Sequence, residues 1–186
     1  MASVRGRRAR VALWVPFAAG TTVGGLITGL ILALGSGLLS PIPPTIRWGV
    51  ALLAVAALVI RDLGSAKLAL PQRDELIPQE VFFEGMAVGL FRFGVEYGTG
   101  WRTLIPSAAP YILVVTMLAA NLPWWQSALI GAAFGFARAI AALQLAVGTG
   151  AGFQTFLSGH TRLLERAATV VSAVLVTVAA WQLTGW

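Results

Sequence analysis

Apolar positions run along this chain in long, nearly unbroken stretches, and the polar residues gather between them. The stretch 11–39 carries no charge and holds Gly20, Gly24, Gly25, Gly29, Gly35 and Gly37. About 20 residues cross a bilayer core, so this run predicts a tilted or broken helix. Ser40-Pro41-Ile42-Pro43-Pro44 ends it, because proline lacks the amide and restricts its predecessor. The run 46–60 predicts a second helix, with Arg47 and Trp48 as interfacial anchors at its start. Runs 107–122, 126–147 and 167–183 predict three more, the first two joined by the tight turn Asn121-Leu122-Pro123-Trp124-Trp125. Residues 61–80 read as a polar cytoplasmic loop, and 148–166 as a Gly/Thr-rich connection carrying His160, Arg162, Glu165 and Arg166.

The remaining run, 81–100, is apolar but charged in its middle. Gly85, Gly89, Arg92 and Glu96 step by four, three and four, which places them on one face of a helix. The first half of the pattern returns as Gly131, Gly135 and Arg138. Both copies lead into a Gly-Thr-Gly, at Gly98–Gly100 and Gly148–Gly150, which predicts helix ends. Gly85/Gly89 and Gly131/Gly135 are small-xxx-small pairs and so candidates for close helix packing. If 81–100 crosses the bilayer, the chain has six spans and the two copies form a parallel repeat. If it is re-entrant or interfacial, five spans remain, and more of the arginines fall on the cytoplasmic side. About six spans is the expectation, because the stretch has the right length and its charges share a face.

Composition fits this pattern. Of 186 residues, 58% are hydrophobic and only 11% charged, with mean hydropathy +0.82. Soluble domains carry about 25% charge, too much for this chain to match. The expected fold class is therefore all-α, a polytopic membrane protein formed as one integral membrane domain over 1–186. Net charge is +6, and every basic residue but Lys67 is arginine. Arg5, Arg7, Arg8 and Arg10 precede the first run, which places the N-terminus in the cytoplasm by the positive-inside bias. That first run is too long for the apolar part of a signal peptide. Ala, Gly and Arg usage points to a bacterial source and hence to the cytoplasmic membrane. The bilayer is the first expected partner, with a second copy or another membrane protein admitted by the glycine faces. No basic soluble module exists to bind nucleic acid.

Candidate chemistry is sparse. There is no cysteine and a single histidine, His160, which removes thiolate chemistry and leaves no metal-ligand pattern. Ser158 and His160 lack a nucleophile elbow and a placed acid, so no enzyme and no cofactor is expected. Arg92, Glu96 and Arg138 are the candidate polar site, because charge inside a bilayer is costly unless paired or functional. Two arginines against one glutamate leave one positive charge, which favours a small anionic solute. The expected function is a small permease built on these residues. A non-catalytic membrane subunit that packs its glycine faces on a partner is the other expectation. The Gly-rich helix before Leu39-Ser40-Pro41, with Pro106-Ser107 later, resembles small two-repeat membrane carriers, transmembrane dithiol-relay proteins among them. Those depend on cysteines, so the resemblance carries no chemistry to this chain.

Overall fold

Six helices form the described part of the computed structural model, and no strand occurs among the described residues. They are α1 (Ala2–Leu38), α2 (Pro44–Leu63), α3 (Met86–Thr99), α4 (Ala109–Ala120), α5 (Trp124–Val147) and α6 (Ala151–Thr184). The structure describes the backbone of residues 2–63, 85–100, 108–147 and 151–184, and side chains over 11–63, 85–100, 108–143, 155 and 159–182. Most of the 61–80 loop, Gly148–Gly150, Arg102 and Trp186 lie outside the described residues, as do the side chains of Arg5, Arg7, Arg8 and Arg10.

Three stretches are long and apolar enough to cross a membrane: Val11–Leu38, Trp124–Leu143 and Gly159–Gln182. The chain is an all-helical, membrane-embedded protein. Helix α2 has 20 residues, with Arg47 in its first turns and Arg61 and Asp62 in its last. Helices α3 and α4 have only 14 and 12 residues, too few for either to cross a bilayer core alone.

The chain divides into two compact units. The first takes α1 up to Leu30, α3, α5 from Trp125 and the start of α6 up to Gly159. Its centre is α1, held between α3 and α5. A Cβ placed on Gly20 would overlap the Phe91 carbonyl oxygen, and one on Gly24 the Val95 oxygen. Gly94 and Gly98 of α3 meet the Phe17 and Thr21 carbonyls in return. On the α5 side, Gly25 and Gly131 each meet the other's carbonyl oxygen, Gly135 meets Thr21, and Gly29 meets Ser127. Only hydrogen at Cα permits backbones this close, and the approach supports Cα–H···O contacts between helices. Residue order gives direction: α3 runs parallel to α1, and α5 runs antiparallel to it. Phe17 and Ala18 of α1 and Ala139 of α5 form a small buried cluster, with Trp14, Leu90, Phe93 and Tyr97 packed against it.

The second unit takes α1 from Ile31, α2, α4 and α6 from His160. Its core is Trp48, Ala51 and Val55 of α2, Ile112 and Ala119 of α4, and Val176 and Ala180 of α6. Ser36 Oγ donates to the Leu118 carbonyl at 3.0 Å, tying the end of α1 to α4. Helix α4 begins beside the last turn of α2, where the Ala108 amide donates to Asp62, and then packs back along α2. The two helices are therefore antiparallel.

Two readings of the sequence change here. Trp48 is 3% exposed and sits in the core of the second unit, where the apolar ring packs at no cost in lipid contact; it is not an interfacial anchor. The polar connection expected over 148–166 is helical from Ala151, so His160, Arg162, Glu165 and Arg166 lie on α6. The Ala108–Asp62 contact also bears on the number of crossings. Helix α4 starts at the end where α2 stops, so the chain between them returns to the side it left, as a re-entrant 81–100 requires.

Candidate functional site

The charged residues singled out in the sequence lie on α3 and α5 of the first unit. Helix α3 stops at Thr99, and Gly100 follows with φ 70°, the left-handed conformation that glycine adopts without strain. This end lies beside Thr28, whose Oγ1 donates to the Thr99 carbonyl at 3.2 Å. Thr28 is within about one helical turn of the midpoint of the apolar stretch Val11–Leu38. The carbonyl end of α3 is thus deep within an apolar stretch, where unpaired carbonyls would be costly. Those of Glu96, Tyr97 and Thr99 are met. Thr99 Oγ1 donates to the Glu96 carbonyl at 2.7 Å, and the Gly100 amide donates to the Tyr97 carbonyl at 3.3 Å.

Arg138 completes this end. Its Nη1 donates to the Tyr97 carbonyl at 2.7 Å, and its guanidinium lies 3.9 Å from the centre of the Tyr97 ring. A cation at a helix C-terminus opposes the negative end of the dipole, and the ring face adds a cation–π attraction. Tyr97 is held for this by Phe17 and Phe93, with ring centres 5.7 and 6.2 Å away. Trp14 Nε1 donates to the Ala139 carbonyl at 2.7 Å, fixing α5 one residue beyond Arg138. Arg138 thus sits against the residue that follows Glu96 in the chain.

Arg92 and Glu96 are both on α3, Arg92 exposed and Glu96 half-buried, with Glu96 Oε2 shielded from solvent. Gly89 is buried on the same helix. Gly85 is the residue before α3, at φ 112°, and a Cβ there would meet nothing among the described residues. The α3 face against α1 is instead built from Phe91, Gly94, Val95 and Gly98. It lies about 100° around the helix from the row of Arg92 and Glu96. Gly131 and Gly135 do lie against the α1 backbone, and Arg138 follows them on the next turn.

The second unit holds a carboxylate that sequence reasoning treated only as the end of a span. Asp62 accepts from Arg61 Nη1 at 2.8 Å, from the Ala108 amide at 2.8 Å and from Thr169 Oγ1 at 2.7 Å. One side chain thereby joins α2, the start of α4 and α6. Its negative charge meets the positive end of α4 and satisfies one of the free amides there. Pro110, in the first turn of α4, has no amide to satisfy. Thr169 is fully buried. It is the one hydroxyl in the run from Ala167 to Val171, and that isolated polar residue was the available signal.

Comparison with known proteins adds no identity: no family model, curated protein or solved structure matches the chain.

Proposed function

We propose that the chain is a small permease of a bacterial cytoplasmic membrane, with a cytoplasmic N-terminus, that passes a small anionic solute along Arg92, Glu96 and Arg138. One observation carries this reading: α3 ends beside the middle of an apolar stretch, with a cation at its last turn. Interrupted helices at membrane depth are tolerated inside protein or along water-filled cavities, and carriers use such helix ends to handle ions. Two arginines against one glutamate give these three side chains a net positive charge, which favours an anion over a cation.

A non-catalytic membrane subunit is the second reading. The engagement of Arg138 with Tyr97 favours it, since a cation already held by a carbonyl and a ring offers less to a solute. Of the glycine faces that such a subunit would present to a partner, that of Gly131 and Gly135 is, however, occupied within the first unit.

The test is anion flux into liposomes reconstituted with the purified chain, using chloride, nitrate, acetate and phosphate. Permeation of at least one anion above that of protein-free liposomes, reduced in Arg92→Gln, is expected. Arg92 is exposed, so this variant removes charge without emptying a packed site. Fluxes equal to those of protein-free liposomes across the panel would reject the permease.

A further inference from the structure

Arg47 is out of place for an interfacial arginine. Such side chains normally extend their charge into the headgroup region. Here the residue lies on the row of α2 that continues through Ala51 and Val55, both in the core of the second unit. The side chain is half-buried, and its Nε and Nη1 are closed off from solvent without a hydrogen-bond partner among the described residues. Buried polar groups are almost always paired, and an unpaired buried charge is among the costliest exceptions.

Among the described residues of the second unit, neither acidic side chain lies near Arg47. Asp62 is on α2 itself but about 22 Å further along the axis. Glu165 precedes Thr169, the residue that bonds Asp62, by one turn of α6, so it too lies toward that far end. The first turn of α2 contains no acidic residue to offset the positive end of its dipole, and Arg47 adds a second positive charge there. The adjoining face of α2 is open and apolar, with Ile46, Val50 and Leu53 exposed at 55%, 63% and 74%. These three lie on one stripe at helical spacing, one residue around from Arg47.

We infer that Arg47 binds the phosphate of an anionic phospholipid head group, with the acyl chains lying along Ile46, Val50 and Leu53. A planar guanidinium matches phosphate in a two-pronged geometry that an ammonium does not. Phosphate reaching the open edge of the side chain supplies the counter-charge, and rotation about the side-chain torsions brings the covered donors to it. The lipid, rather than free phosphate, is favoured by the apolar stripe beside the cation. This site is independent of the permease reading.

The experiment uses the full chain in neutral detergent and follows the melting midpoint with added phosphatidylglycerol, phosphatidylcholine or inorganic phosphate. Phosphatidylglycerol is expected to raise the midpoint of the wild type by several degrees, phosphatidylcholine by clearly less and inorganic phosphate not at all. Arg47→Gln is expected to lose most of the phosphatidylglycerol shift. An undiminished shift in Arg47→Gln, an equal effect of both lipids, or the same shift with inorganic phosphate would overturn the assignment. If Arg47→Gln does not fold, Arg47→Lys is used with native mass spectrometry of retained lipid. It keeps the charge but not the planar fork, so fewer bound phosphatidylglycerol molecules are expected. Retention equal to the wild type overturns the guanidinium site.

Discussion

Replacing Asp62 with alanine should be the most damaging single change in the second unit. The side chain is 9% exposed and accepts three hydrogen bonds, from an arginine, a backbone amide and a hydroxyl. Hydrogen bonds to a charged group contribute about 1.5–3 kcal/mol each when both partners stay otherwise satisfied. They do not simply add here, because Arg61 is 21% exposed and regains water when its partner is removed. Thr169 and the Ala108 amide have no such recourse, and stranding each costs about 1–3 kcal/mol. Asp62→Ala should therefore lose about 3–5 kcal/mol, in line with breaking a buried ion pair. Asp62→Asn keeps an oxygen that can accept from one of the two donors, and should lose about half as much. Reversible unfolding of the purified chain by dodecyl sulfate in mixed micelles reads these differences directly. Thr169→Ala supplies the control. The double variant Asp62→Ala/Thr169→Ala should be less destabilised than the sum of the singles by about 1 kcal/mol, since the hydroxyl is no longer stranded. Additive losses, or a loss below about 1 kcal/mol for Asp62→Ala, would refute the three-helix junction.

Three further outcomes are expected. Gly131→Ala should destabilise the chain by about 2 kcal/mol or more, because its Cβ would strike the Gly25 backbone, whereas Gly49→Ala, with nothing within reach among the described residues, should gain about 0.5–1 kcal/mol from helix propensity; unfolding in the same micelles compares them. Arg138→Lys should loosen the end of α3, since an ammonium loses the planar contact with Tyr97, and hydrogen exchange at the amides of 97–100 should rise there while that of α2 stays unchanged. Reporters fused to each terminus should lie on opposite sides of the membrane, because α6 runs antiparallel to α2 and α2 reverses the direction of α1; a shared side would contradict the pairing of Asp62 on α2 with Thr169 on α6.

Hydrophobic runs make the helices legible, and the small-xxx-small pair Gly131/Gly135 marks the face of α5 that packs on α1. The partner row on α3 was not legible. Gly85, Gly89, Arg92 and Glu96 repeat at helical spacing, but so do Phe91, Gly94, Val95 and Gly98, and periodicity alone cannot choose between adjacent rows. The choice falls to which carbonyls α1 presents, a fact of three dimensions. The start of α6 was missed because Gly152, Thr155 and Gly159 look like loop composition, and tertiary context overrides such weak local preferences. Asp62 falls in the polar stretch 61–80, beside Arg61 at the end of an apolar run, so its sequence context marks it only as a loop residue. Its partners, Ala108 and Thr169, are 46 and 107 residues away in the chain.

The shortness of α3 and α4 bears on how the protein is made. Neither helix is long enough to enter a bilayer as a free-standing span, and each has a polar end that only another helix can satisfy. For α4 that helix is α2, synthesised earlier, so its site is waiting when it emerges. For α3 the Thr99 carbonyl meets Thr28 of α1, already made, while Tyr97 waits for Arg138 of α5, so this end is completed only when α5 docks on α1. Biogenesis is thus ordered by the chain itself: the hairpin of α1 and α2 serves as the template, and α5 is the step that commits the first unit.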